Sequence, residues 1–218
     1  EIGTPVVIKP QDSNQGKGVT VNLTDAEQVK SAFMIASEFS SNVLVERYLP
    51  GYDYRMLVVG NKLVAAARRD PPQVTGDGKH NIRQLVEQIN RDPMRGEGHV
   101  TSLTKIHLDE ISLAHLAAQG LTADSIPAKG VRVILRNNAN LSTGGTATDV
   151  TDDVHPELAA RVVAAAQVVG LDICGIDVVC DNVMKSLEEQ GGGVIEINAA
   201  PGLRMHLQPS FGKGRAVG

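Results

Sequence analysis

The feature that most constrains this chain is the placing of acids inside apolar runs near its end. In GIDVVC, residues 175–180, Asp177 sits among isoleucine and valines, and in GVIEIN, residues 193–198, Glu196 and Asn198 do the same. Both runs read as buried strands, and carboxylates enter such strands only when paired, hydrogen-bonded or bound to metal. Glu196 and Asn198 are two apart, so they share one face of their strand and can converge with Asp177 of a neighbouring strand. Three hard oxygen donors with no histidine or cysteine cluster beside them suit Mg²⁺ or Mn²⁺, and Mg²⁺ usually arrives with phosphates that complete its shell. A hydrogen-bonded polar pair at a sheet edge is the other reading of the same residues.

Composition narrows the function classes. The 218 residues suffice for one large domain or a pair of lobes with a sizeable core. A formal net charge of −4 with no basic block gives no footing for nucleic acid or a membrane surface as partner. No apolar run approaches the ~18 residues of a membrane span, and nothing in these residues reads as a signal peptide. Cys174 and Cys180 lie in or beside one strand, as reduced core thiols of a cytoplasmic protein do, rather than in a disulfide or zinc framework. The chain opens at Glu1, and EIGTP reads as a last helical turn with Gly3 as cap and Pro5 beyond it. A piece of a longer chain, with further domains upstream and downstream, is therefore expected.

Local patterning predicts alternating elements. PVVIKP and VTVNL are strands around the loop DSNQGKG, and Thr24 opens a helix to about residue 39, with Glu27 completing a capping box. NVLVERYL is a strand, and YRMLVVGNKLVAAARR gives two more joined at Gly60-Asn61. From Asp70 to Lys129 the rhythm changes to turn-rich loops with helices near 82–91 and 109–119. A strand near 131–136, the polar loop NNANLSTGGTATD and a helix from Pro156 to Gly170 follow, before the two acid-bearing strands.

Two further constellations have more than one reading. Lys9 ends a strand, and Lys17 sits between Gly16 and Gly18, whose backbone N–H groups can approach a polyanion; the same residues also suit a solvated hairpin loop, and the spacing is not that of a Walker motif. Glu46 and Asp53 flank Pro50-Gly51, either as a plain charged turn or as a strand end offering carboxylates to a base and a sugar.

Taken in order, VVIKP, NQGKG, VERYLPGYDYR, GIDVV and IEINAAPG resemble the ATP-grasp carboxylate–amine ligases over nearly the whole chain. The long excursion after Asp70 and NNANLSTGGTATDVTD resemble the cyanophycin-synthesising branch of that superfamily, with the glutathione synthetases as a second relation. The resemblance implies an α+β ATP-grasp fold of mostly antiparallel sheets with packed helices, a nucleotide held between two lobes (about 1–50 and 51–218), and an accessory insert at about 70–129. It implies ATP and Mg²⁺ (or Mn²⁺) as cofactors: Lys9, Gly16, Lys17 and Gly18 on phosphates, Glu46, Arg47, Tyr48 and Leu49 against adenine, Asp53 on ribose, and Asp177, Glu196 and Asn198 on metal. Arg136 and Asn198 are the candidates beside the reacting phosphate. Asn140, Ser142, Thr143, Gly144 and Gly145 are candidates for a polar cradle around it, with a plain surface loop as the alternative.

The implied chemistry is attack of a substrate carboxylate on the γ-phosphate and opening of the acyl phosphate by an amine. The implied substrates are an amino acid, aspartate, and the terminal carboxylate of a poly-aspartate backbone; a homo-oligomer in the cytoplasm is implied as well. Acidic substrates need cations, and Arg68, Arg69, Arg204 and His206 are the candidates, with Lys79, His80, Arg83 and Lys105 near or within the insert. A glutathione-synthetase-type ligase and a nucleotide-binding regulatory module without turnover are the competing functions.

Overall fold

The structure, a computed structural model, describes residues 2–12, 17–98 and 101–217. The chain divides into two compact units, Glu1–Pro50 and Gly51–Gly218.

In the first unit, β1 (Val6–Pro10) is flanked by β2 (Thr20–Leu23) and β3 (Val43–Arg47), both antiparallel to it. Helix α1 (Ala26–Ser37) covers this sheet, and Ala32 and Ala36, four apart, meet Val6, Ile8 and Leu23. The helix starts one residue later than the sequence suggests. The Asp25 carboxylate accepts from the Gln28 N–H at 2.9 Å, and the Gln28 side chain accepts from the Thr24 N–H at 3.0 Å. Asp25 is as good a cap as threonine, so a pattern that fits both leaves the choice to geometry.

The second unit is built on a five-stranded antiparallel sheet. Its strands are β4 (Tyr52–Val59) and β5 (Lys62–Asp70), later β10 (Thr146–Asp149), β11 (Ile173–Cys180) and β12 (Gly193–Asn198), in the spatial order β10-β5-β4-β11-β12. Gly60 adopts φ 58° at the β4–β5 turn. Between β5 and β10 lie β6 (Gln73–Thr75), α2 (Ile82–Asn90), β7 (Arg95–Gly96), β8 (Leu103–Thr104), α3 (Glu110–Ala118) and β9 (Arg132–Ile134). They enclose their own apolar cluster of Val74, Ile82, Leu85, Val86, Ile106, Leu116, Val133 and Leu135. The pair β6–β9 is antiparallel, and the short pair β7–β8 is parallel.

The two faces of the large sheet have opposite chemistry. Tyr54, Met56, Val58, Ala66, Cys174, Ile176, Val178 and Cys180 form one face, against Leu158, Val162 and Ala166 of α4 (Pro156–Val169). Each aliphatic side chain fully buried there contributes about 1.5–3 kcal/mol. Pro156 at the first position and Gly170 in the left-handed region, φ 76°, bound this helix where the sequence places them. Both cysteines are free thiols in this core, and burial pushes Cys180 up to about 11. The alternate residues Asp53, Arg55, Arg69 and Asp177 occupy the other face, with Leu57 and Ala65 covered by Val217. Among the described residues, no helix is long and apolar enough to cross a membrane.

Candidate functional site

In the first unit, Lys9 and Glu46, both expected at a nucleotide, pair with each other at 2.8 Å. Lys9 lies opposite Leu44 and Val7 opposite Glu46, so the two charges meet on a diagonal of the β1–β3 ladder. Arg47 closes β3 on the exposed side, and the Tyr48 N–H donates to Pro5 O at 3.0 Å, which fixes the segment running into Leu49. Lys17 is exposed, and Gly18 has φ 72°, where an added Cβ would lie 2.7 Å from the Phe39 ring. Gly16 lies outside the described residues.

The second unit carries a buried ionic row. Asp177 on β11 stands opposite Arg55 of β4 on one side and Glu196 of β12 on the other. Arg55 grips both carboxylate oxygens, Nε on Oδ1 and Nη2 on Oδ2 at 3.1 Å. Arg69 on β5 faces Asp53 across the ladder and donates to its Oδ1 from Nε at 2.9 Å and from Nη2 at 2.5 Å. Its Nη2 also lies 2.9 Å from Oδ2 of Asp177. Burial works against the charge on Arg69, but Asp53 and Asp177 outweigh it and hold the guanidinium protonated.

A bulge between Asp177 and Val178 turns β12, so that Val194 packs on the core while Glu196 keeps the face of Asp177 and is exposed. Asn198 lies opposite Gly175, and its side-chain nitrogen donates to Gly175 O at 3.4 Å. An added Cβ on Gly175 would lie 2.9 Å from Arg55 Cδ and 2.7 Å from Pro201 Cβ, so this glycine makes room for the arginine stem.

This donor set fits a divalent cation of the Mg²⁺ type. It consists of oxygen ligands alone, two carboxylates and an amide, on adjacent positions of one sheet face. The Asp177 carboxylate has about four lone-pair sites, and it accepts from Arg55 Nε, Arg55 Nη2 and Arg69 Nη2. Among the described residues, no three histidine, cysteine or acidic side chains gather as a metal-holding group, and this set has two acids with an amide.

The remaining candidates are distributed. Arg68 and Arg69 point to opposite faces of β5: Arg68 donates to Asp70 Oδ2 at 3.0 Å and lies 5.2 Å over the Tyr52 ring, while Arg69 belongs to the ionic row. Arg136 is bound to Asp109 at the start of α3. Asn140 through Gly145 form a closed turn in which Asn140 O accepts from the N–H groups of Thr143 and Gly145, both at 3.1 Å. Ser142 is exposed within it. Gly144 and Gly145 have no room for a side chain: added Cβ atoms would lie 2.6 Å from Ile106 and 2.8 Å from Asn140 O. Arg204 and His206 lie on the short helical turn Arg204–Leu207. His206 is buried, and burial, with Arg55 next, pushes it down to about 4, so it is a neutral imidazole rather than a cation for an acidic ligand.

Three arginines escaped the sequence reading. Arg55 is two residues from Asp53 in YDYR, and that period of two inside an apolar strand was the available signal. Arg95 is buried and ties Thr104 O at 2.6 Å to Gly144 O at 3.1 Å, and Arg215 clamps Asp149 and Asp152. No local pattern marks these two.

The antiparallel sheets with packed helices have the ATP-grasp fold. The RimK-like ATP-grasp domain matches residues 1–93. The chain is 48% identical to the cyanophycin synthetase of Trichormus variabilis, over 99% of its own length and 24% of that protein's. It is 39% identical to the glutathione biosynthesis bifunctional protein of Clostridium perfringens, over 98% of this chain and 28% of that one. The crystal structure of a bifunctional glutathione synthetase from Pasteurella multocida superposes with a TM-score of 0.67 at 39% identity, covering 98% of this chain and 30% of that one. The chain thus spans about a quarter of the length of the cyanophycin synthetase it matches.

Proposed function

We propose that this chain provides the ATP- and metal-binding face of an ATP-dependent carboxylate–amine ligase, which in the intact protein adds aspartate to the terminal carboxylate of a poly-aspartate backbone. The observation that carries the ligase reading is the alignment of Arg55, Asp177 and Glu196 across three strands, with Asn198 two residues on. The aspartate-adding reading is supported by the 48% identity to cyanophycin synthetase. A glutathione-synthetase-type ligation is the second reading, favoured by the 0.67 TM-score to the Pasteurella protein.

In this reading an acceptor carboxylate oxygen attacks the γ-phosphorus and ADP leaves. The amine nitrogen then attacks the acyl carbon, phosphate departs, and the proton from nitrogen is released. Lys9 and Lys17 would meet the phosphates, Glu46 through Leu49 and Asp53 would hold the nucleoside, and Asp177, Glu196 and Asn198 would hold Mg²⁺. Such a cation offsets the negative charge of the transferring phosphoryl group. Arg55 and Arg69 keep the Asp177 carboxylate in one orientation, so no reorganisation is needed at the moment of reaction.

Glu196→Gln in the intact protein tests this. The substitution removes charge but keeps volume at an exposed position, so ADP release dependent on both acceptor and amino acid falls about 100-fold or more, with unfolding still cooperative. Unchanged turnover at saturating ATP and Mg²⁺ would remove Glu196 from the site. Tight ATP binding without product across a broad set of acceptors would instead support a regulatory nucleotide-binding module.

A further inference from the structure

Arg69 has a place in the ionic row that substrate binding does not explain. It is 6% exposed and joins two acids at once, Asp53 and Asp177. Arg55 closes the other end, giving the order Asp53–Arg69–Asp177–Arg55 with alternating charge. All four side chains stand on paired strands, so none is carried by a loop. A guanidinium is a planar fork and cannot turn wholly to one acid without weakening its hold on the other.

We propose that Arg69 is a positioning residue for the cation-binding acid Asp177, and that Asp53 acts on the cation subsite through it. The inference rests on the reading of Asp177, Glu196 and Asn198 as that subsite. Asp53 draws on the positive charge of Arg69 and limits what falls on Asp177. When Asp53 is neutral, Arg69 turns to Asp177, where it repels an incoming divalent cation and occupies the lone pairs the cation needs. Any ligand whose hydroxyls bond the Asp53 carboxylate therefore changes cation affinity, and a bound cation changes the affinity of Asp53 for hydroxyls by the same factor. Two subsites that share no ligand atom become coupled through one side chain.

The test measures Mn²⁺ binding to the intact protein by electron paramagnetic resonance, with inorganic tripolyphosphate completing the shell. Tripolyphosphate has no ribose, so a direct contact of Asp53 with nucleotide plays no part. Asp53→Asn is expected to weaken Mn²⁺ binding about five-fold or more, and Asp53→Glu, which restores the charge, to recover most of that loss. In an Arg69→Gln background, Asp53→Asn changes affinity by less than about two-fold. If Arg69→Gln does not fold, the contrast between Asp53→Asn and Asp53→Glu decides. A purely structural pair lowers thermal stability in both variants and leaves Mn²⁺ affinity where it was. Unchanged affinity in Asp53→Asn, failure of Asp53→Glu to recover it, or the same weakening with and without Arg69 overturns the coupling while leaving the cation subsite standing. No saturable Mn²⁺ binding by the unsubstituted protein overturns the subsite and the coupling together.

Discussion

Replacing His206 by leucine should make the protein more resistant to mild acid. The imidazole is 2% exposed, and both ring nitrogens are buried without a hydrogen-bond partner among the described residues. Burial, then Arg55, with Arg69 adding and Asp149 opposing, sets its folded pKa at about 4 against an ordinary 6.5. Because the folded value is the lower one, the unfolded chain takes up the proton first. The neutral imidazole's contribution is whole above pH 6.5 and is lost as pH falls through 6.5 towards 4. At pH 5 that loss is about 2 kcal/mol, or about 4–8 °C in Tm for a chain of this size. His206→Leu removes the titration and also two unpartnered nitrogens, each a burden of about 1–3 kcal/mol. The variant should therefore equal or exceed the parent at pH 7.5, and its advantage should widen by about 2 kcal/mol at pH 5. Thermal or urea unfolding of both proteins across that range gives the answer. Parallel stability curves from pH 7.5 to 5 would refute the burial argument, since a histidine that protonates equally in both states adds no pH dependence.

Three other substitutions test the architecture. Gly175→Ala should cost about 1–3 kcal/mol because its Cβ would crowd Pro201 and Arg55, whereas Gly202→Ala, with open space at that point, should stay within about 0.5 kcal/mol; equal Tm values for the two would show that the close approach is easily relieved. Asn81→Ala breaks a capping box in which Asn81 accepts from the Gln84 N–H at 2.9 Å and Gln84 accepts from the Asn81 N–H at 3.0 Å. It should cost about 1 kcal/mol, and a denaturation midpoint unchanged from the parent would show that tertiary packing alone fixes the start of α2.

What could be read from the sequence was local. The β4–β5 turn at Gly60-Asn61 and the bounds of α4 are written in residues next to one another. Strand β10 is not: Thr146–Asp149 is polar and short, and only the ladder with β5, from Thr146–Asp70 to Asp149–Ala67, makes it a strand. The acids in β11 and β12 signalled that something cationic faces them, but the partner of Asp177 lies 122 positions away at Arg55. Arg69 looked like the edge of a basic insert because it adjoins Asp70. Cross-strand register places it beside Asp177 on the face of the large sheet instead, and that register is a property of the assembled sheet.

The excursion between β5 and β10 leaves and returns at nearly one point. Gln73–Thr75 pairs with Arg132–Ile134, and the Leu135 N–H donates to Pro72 O at 2.8 Å, so the two strands of the neck are zipped together. Much of the described chain beyond that neck is gathered around its own apolar cluster, with Arg95 reaching out to Gly144 O. Such a segment behaves as a cassette: it can be lengthened, shortened or exchanged between related chains at the neck without altering the register of the large sheet. A chimera joined at Pro72 and Leu135 is then the natural unit of exchange, with the ionic row of the large sheet left in place.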